Sequence, residues 1–339
     1  MAEEPIITIK DLRVHFFTYE GVVKALDGVS FFVNKGETLG LVGETGCGKS
    51  VTVRSIMRLI EEPGRIVGGE ILYRDTNILD LKMKEVRKIR GRNITMIFQD
   101  PMTFLNPVMK VGVQVAEMLV LHAYSKLDDE EKASISLKDQ SIKEEVIKIL
   151  ETVRLPNAEA LYDRYPHELS GGMRQRVLIA MAIAARPDVI IADEATTALD
   201  VTIQAQILEL LDALKRELKT TLIVVTHNLG LIAETCNRVI ILYGGQICEI
   251  AETKELFANS KHPYTEGLFR AIPLLHKPKV QLEAIPGVVP NLVNPPSGCR
   301  FHPRCTLAQD ICKQEKPEPN DIGGGHFVAC HVRAPILKA

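Results

Sequence analysis

Apolar and polar positions alternate from Ile6 to Phe17, with Ile7 and Ile9 and then Val14 and Phe16 apolar, and this period of two predicts a strand of an antiparallel sheet. Val29 to Val33 predicts a second strand, and Asn34-Lys35-Gly36-Glu37 a tight turn after it. Leu39-Gly40-Leu41-Val42 is uninterrupted and reads as a buried strand. It is followed by a helix over Val51 to Leu59 that Pro63-Gly64 breaks. Gly69 to Tyr73 predicts a short strand, Leu81 to Arg92 a basic and solvated helical face, and Ile94 to Phe98 another buried strand.

From about residue 101 to 178 the spacing changes. Val113 to His122 and Ser141 to Val153 carry apolar residues at helical intervals, and Leu127 to Asp139 between them is polar and charged, so this stretch reads as a helical insertion with a solvated middle. The apolar helix Val177 to Ala185 closes it. Asp188 to Ala192 is a buried strand leading Val189-Ile190-Ile191-Ala192 into Asp193-Glu194, Val201 to Leu218 is an amphipathic helix, and Thr221 to Val225 is a buried strand ending at Thr226-His227. The order predicts an α/β fold with an antiparallel β subdomain and a helical insertion. Domains are expected at 1–260 and 261–339.

Composition narrows the classes. A chain of 339 residues holds one large or two modest domains, and 46% hydrophobic with 25% charged residues is ordinary for a globular protein. The net charge of −2 supplies no basic field, which argues against nucleic acid as a partner. The longest apolar run, Val177 to Ala185, is nine residues, against the roughly 18 that a membrane span needs. Met1-Ala2-Glu3-Glu4-Pro5 is acidic and unlike a signal peptide. The expectation is a soluble, cytoplasmic chain.

The chemistry begins after the third strand. Gly43-Glu44-Thr45-Gly46-Cys47-Gly48-Lys49-Ser50 matches G-x-x-x-x-G-K-[ST] at every fixed place, between a strand and a helix as that motif requires. Its glycines let successive N–H groups turn inward around phosphate oxygens, and the helix that follows adds its positive end. Lys49 is expected to reach the β- and γ-phosphates and Ser50 to ligate magnesium. Gln99 sits at the end of a buried strand, where its amide oxygen would complete the magnesium shell or hold the attacking water. Asp193 and Glu194 end another such strand and divide the work: Asp193 holds the metal through water, and Glu194 polarises the attacking water. His227, after the next strand, is a candidate contact to the γ-phosphate. Ser170, with Gly171 and Gly172, caps a helix whose N-terminus is left open to an anion. Tyr19, on the loop between the first two strands, is a candidate to stack on adenine, with Phe17 competing for the role.

The phosphate loop, Gln99, LSGGM at 169–173, VIIADE at 189–194, ALD at 198–200 and His227 occur in the order and spacing of ABC-transporter ATPases. FQDPMT at 98–103, LNP at 105–107, PSGCRF at 296–301 and Arg304-Cys305 resemble the ATP-binding subunits of dipeptide and oligopeptide importers, so that the resemblance spans almost the whole chain. Met173 replaces the glutamine usual in the signature, without touching the groups that would face a phosphate. The resemblance implies a phosphate-loop (RecA-like) ATPase core with ATP and Mg2+ as ligands, and it adds Val51 and Asp200 to the nucleotide-binding residues. It also implies a head-to-tail dimer with a second ABC ATPase subunit, in which Ser170, Gly171 and Gly172 meet ATP on the partner. Two transmembrane permease subunits would anchor the pair at the cytoplasmic face of the membrane, and an extracytoplasmic solute-binding protein would take part indirectly. Another small solute, such as nickel, is the alternative cargo, and a nucleic-acid-linked ABC ATPase the remoter reading.

The tail carries a separate signal. Pro273, Pro278, Pro286, Pro290, Pro295 and Pro296 predict an extended segment, and Cys299, Cys305, Cys312 and Cys330 follow it. Four thiols in a loop-rich extension within a reducing cytosol suggest a metal staple. Their wide spacing favours a 4Fe–4S cluster over Zn2+, for which His302, His326 and His331 are further donors. The expectation is a small, metal-bound C-terminal extension.

Overall fold

In the computed structural model the alternation at the head of the chain becomes a long antiparallel hairpin of β1 (Pro5–Thr18) and β2 (Gly21–Asn34), paired from Pro5 with Asn34 to Thr18 with Gly21. The structure describes residues 4–98, 100–123, 137, 139–194, 201–271 and 285–334. Gln99, Asp200, Pro273 and Pro278 lie outside the described residues, as does nearly all of the polar stretch 127–139. By its contacts the chain forms two units, Met1–Asp80 with Val225–Ala339, and Leu81–Val224.

The apolar positions of β1 change parity halfway, from Ile7 and Ile9 to Leu12 and Val14, yet all four are buried. A bulge accounts for this: the pairing shifts between Ile9 and Leu12, where Asp11 takes a left-handed conformation (φ 45°) and its N–H donates to Ser30 Oγ. Since side chains alternate between faces, such an irregularity swaps which positions point inward. Strands β4 (Gly64–Tyr73) and β5 (Thr76–Asn77) complete a sheet in the order β2-β1-β4-β5. Strand β3 (Thr38–Val42) is buried throughout and leads through the phosphate loop into α1 (Lys49–Ile56). That helix ends earlier than its apolar spacing suggests, because Arg58 turns left-handed at φ 49°.

In the second unit α2 (Met83–Ile89) precedes β6 (Ile94–Ile97), and β6 pairs in parallel with β7 (Val189–Asp193) from Ile94 with Val189 to Ile97 with Ala192. The helices between them include α3 (Val111–Met118), α4 (Gln140–Thr152), α5 (Ala158–Tyr162) and α6 (Gly171–Ile183). Asp139 caps α4 by accepting the Ser141 N–H at 2.9 Å. Gly112 allows α3 to lie against Tyr162, whose ring a Cβ there would meet at 2.2 Å. Helix α7 (Val201–Leu218) then leads to β8 (Thr221–Val225), giving the order β8-β7-β6.

Back in the first unit the chain forms α8 (Leu229–Thr235) and then the hairpin β9 (Arg238–Tyr243) and β10 (Gln246–Glu252). Strand β9 runs parallel to β3, from Leu39 opposite Arg238 to Val42 opposite Ile241. Helices α9 (Thr253–Asn259) and α10 (Pro263–Arg270) follow. The tail adds the short helix α11 (Asp310–Gln314) and two-residue strands β11 (Asn320–Asp321) and β12 (Phe327–Val328), the last pairing with β10. Among the described residues no helix is long and apolar enough to cross a membrane.

The metal-bound extension expected from Cys299, Cys305, Cys312 and Cys330 is corrected by the structure. The four side chains line a common space with His302 and His331. Among the described residues no group of three or more His, Cys, Asp or Glu is placed to hold a metal ion, so neither the 4Fe–4S cluster nor the zinc alternative is supported. All four are free thiols, and burial pushes that of Cys299 up to about 11. Cys312 and Cys330 are buried, and Cys330 packs in an apolar cluster with Val328 and Ala334, while Cys299 and Cys305 are half-buried.

The tail is held by polar anchors instead. The side chain of Arg300 is 3% exposed and donates to Asp27 Oδ2 at 3.0 Å, to Lys24 O at 3.2 Å and to Gly244 O. His326 Nε2 lies 2.7 Å from Glu249 Oε1, both buried, and Glu249 also accepts the N–H groups of Lys261 and His262. Arg300→Ala would leave Asp27 and two carbonyls without this partner. We expect it to lower stability by on the order of 2–3 kcal/mol, read by denaturant unfolding; wild-type stability would mean that the tail is not fastened there. Burial pushes the Asp27 carboxyl up, but the Arg300 charge and the Gln246 hydrogen bond outweigh it, so that its pKa is lowered overall. Its contribution is present above the ordinary carboxylate range and fades as pH falls through the lowered value. The variant is expected to lose part of that acid sensitivity.

Candidate functional site

The phosphate loop is shaped by glycines that nothing larger can replace. Gly43 has φ 154°, and a Cβ on it would meet Leu242 O at 2.2 Å; Gly48 has φ 105°, and a Cβ there would meet Leu26 Cδ2 at 2.6 Å. The loop is therefore pressed against β9 on one side and β2 on the other. At Gly46, by contrast, a Cβ would meet nothing within 4 Å, so this part of the loop faces open space. Lys49 Nζ curls back over the loop, donating to Gly43 O at 2.8 Å and Glu44 O at 3.1 Å. Lys49 is only 5% exposed, and an anion in the cradle would compete with these two carbonyls for its amine. Cys47 is buried, and burial pushes its thiol up against the opposing pull of Lys49, so it stays neutral and packs rather than reacts.

His227 comes to the same place. Thr226 N–H donates to Leu41 O, fastening the chain beside β3 just before His227, and Asn228 then caps α8. An open cavity of about 480 Å³ is lined by Gly43, Glu44, Thr45, His227, Leu268 and Val289, among others. Two residues to which the sequence assigns no part in the site also hold the loop. Tyr264 Oη accepts the Glu44 N–H at 2.8 Å, and Arg304 grips the Glu44 carboxylate through Nη1 at 2.6 Å and Nη2 at 3.1 Å. No local pattern points to either, because each acts across more than 200 positions of sequence. The ring of Tyr19 is wholly exposed on the turn between β1 and β2, while Arg65 lies over the ring of Phe17 at 5.6 Å. Tyr19 is thus the freer of the two rings for stacking.

The acidic pair belongs to the second unit. Asp193 is the last residue of β7 and is 3% exposed. Glu194 follows with φ 48°, a left-handed conformation costing a non-glycine residue on the order of 1–3 kcal/mol and found disproportionately at functional sites. Ser170 caps α6, its Oγ accepting the Met173 N–H at 3.4 Å, and Ser170 and Gly171 are exposed, so this helix presents its N-terminus to solvent. Gln99 and Asp200 lie outside the described residues.

A serine hydroxyl and an aspartate carboxylate are hard oxygen donors of the kind magnesium takes, so the donor chemistry of Ser50 and Asp193 fits that ion.

The chain is similar to known proteins in two regions. Residues 26–197 match the ABC transporter family, and residues 248–312 match the C-terminal region of oligopeptide/dipeptide transporters. A probable peptide ABC transporter ATP-binding protein of Sinorhizobium fredii is 46% identical over 96% of this chain and 94% of its own length. The oligopeptide transport ATP-binding protein OppD of Bacillus subtilis is 46% identical over 98% of this chain and 91% of its own. For the dipeptide transport ATP-binding protein DppD of Haemophilus influenzae the identity is 45%, with 96% and 95% covered. Among solved structures, a dimeric ATP-binding cassette in a post-hydrolysis state bound to ADP and Pi superposes with a TM-score of 0.61 at 27% identity, covering 73% of this chain and 98% of that one. A second, cbiO1 from Clostridium perfringens, part of an ABC transporter complex, gives 0.60 at 26% identity, covering 76% and 92%. The core therefore has the ABC ATPase cassette fold. Matched in both regions and over nearly its whole length, the chain belongs to the ATP-binding subunits of ABC transporters, in their oligopeptide/dipeptide branch.

Proposed function

We propose that this chain is the ATP-hydrolysing subunit that powers import of dipeptides or oligopeptides. The observation that carries the reading is the joint match of the cassette and of the C-terminal region to peptide-transport ATP-binding proteins at about 45% identity. The chain would work at the cytoplasmic face of the membrane, paired head to tail with a second ABC ATPase and docked on two permease subunits. An extracytoplasmic solute-binding protein would deliver the peptide to those permeases. Residues 1–260 would form the ATPase domain and 261–339 the extension.

In this reading the N–H groups of Gly43 to Ser50, with Val51, hold the phosphates of ATP, and Lys49 leaves its two carbonyls to neutralise them. Magnesium would be held by Ser50, Gln99 and Asp193, and when bound it offsets phosphate charge and fixes the terminal phosphate. Glu194 accepts the proton of the attacking water, and His227 steadies the γ-phosphate through a hydrogen bond. Asp200 contributes to the nucleotide site and Tyr19 stacks on the adenine. Ser170, Gly171 and Gly172 turn the open end of α6 to ATP held by the partner ATPase, so each nucleotide is closed only in the dimer.

Membrane fractionation tests the placement. The chain is expected in the membrane fraction when expressed with its permeases and in the soluble fraction when expressed without them. Equal partition in both cases would contradict the reading.

A further inference from the structure

The phosphate loop carries a carboxylate, Glu44, at its first variable position, in a loop that must accept a polyanion. Left free, that charge would repel the incoming phosphates. Arg304, from the C-terminal extension, covers it with a two-pronged contact at 2.6 and 3.1 Å, the bidentate geometry in which a guanidinium holds a carboxylate best. Arg304 is itself immobilised. Its side chain is 5% exposed, Nε donates to Pro286 O at 2.8 Å, Nη2 to Ile285 O at 3.2 Å and Nη1 to Tyr243 Oη at 3.3 Å. The guanidinium also lies 5.7 Å from the centre of the Tyr243 ring and 6.0 Å from that of Phe301. The main chain of the same loop residue is caught by Tyr264, whose ring is fully buried.

We propose that Arg304 is a positioning residue for nucleotide binding: acting through Glu44, it neutralises the loop's carboxylate and holds it aside, so that the extension keeps the loop receptive to a nucleoside triphosphate. Arg304 does not touch the nucleotide. The inference rests on the reading of Gly43 to Ser50 as the nucleotide site. It explains why one arginine is given so many partners: a guanidinium tied at all its nitrogens cannot swing away when phosphates arrive to compete for it. It also gives the tail a role in the ATPase cycle that needs no metal.

The test is the dissociation constant of ATP, measured by equilibrium titration of the full chain. Arg304→Gln is expected to weaken ATP roughly tenfold, the effect of about one unscreened charge contact, and ADP less because it carries less charge. Adding Glu44→Gln to Arg304→Gln removes the stranded carboxylate and should return the affinity to within about threefold of wild type. A tail that merely props the fold would lower the melting temperature without such rescue. Unchanged affinity in Arg304→Gln, or a loss that Glu44→Gln does not restore, would overturn the proposal. Should Arg304→Gln not fold, Arg304→Lys keeps the charge but not the fork and is expected to bind about threefold more weakly; wild-type affinity there would overturn it equally. Lys49→Ala separates the two readings. If Lys49→Ala binds ATP as wild type does, the nucleotide site itself is misplaced. If Lys49→Ala loses ATP while Arg304→Gln keeps it, only the role of Arg304 fails.

Discussion

Glu194→Gln is expected to keep ATP binding and to slow hydrolysis by roughly 10²–10⁴-fold, the usual contribution of a general base. The amide keeps the size and reach of the carboxylate but cannot accept the proton of the attacking water. Strand β7 is buried along its whole length and ends on Asp193, which sets the next side chain at the strand's carboxyl end, where ligands of open parallel sheets sit. The left-handed backbone of Glu194 is a cost that packing elsewhere must offset, and it directs this residue away from the strand path. Steady-state phosphate release measured beside nucleotide titration separates the two effects. A Glu194→Gln protein that turns over like wild type would remove Glu194 from the chemistry.

Ser170→Arg is expected to abolish ATP-driven association while leaving nucleotide binding to the single chain intact. The hydroxyl of Ser170 caps α6, and the first turn beyond it is open to solvent. An arginine there loses the cap, worth about 1 kcal/mol, and fills the space that a partner's phosphates would occupy. The likeness to a cassette solved as a dimer with ADP and Pi makes association the readout of choice. It is followed by sedimentation with and without ATP, using the co-purified partner ATPase. Loss of nucleotide binding in the isolated variant would mean that Ser170 acts within its own chain.

Legibility in the sequence followed locality. Thr221–Val225 and Val201–Leu218 have the bounds that their apolar patterns predict, since one is buried on both faces and the other on a single stripe. The phosphate loop is readable because its glycines answer to a backbone requirement that no other residue meets. The hairpin of β9 and β10 left no reading, although both strands are largely buried. Nor does any spacing show that Arg304 reaches Glu44 or that Tyr264 reaches its N–H. These contacts depend on the tail returning to the loop, and only the folded chain brings them within 3 Å or so. The tail cysteines misled for a related reason. Their clustering is real, but a count of thiols does not say whether their geometry can hold a metal, and among the described residues no group of three or more such donors is placed to do so.

ATP hydrolysis by this chain drives peptide import. The most direct test of this coupling is uptake of a labelled peptide by sealed vesicles holding the assembled transporter and its solute-binding protein, with ATP supplied on the face where this chain docks. Uptake is expected to require ATP, to keep step with phosphate release, and to vanish when this subunit is Glu194→Gln and its partner is correspondingly inactive. Peptide accumulation that proceeds equally without ATP, or undiminished in that doubly inactive transporter, would contradict it.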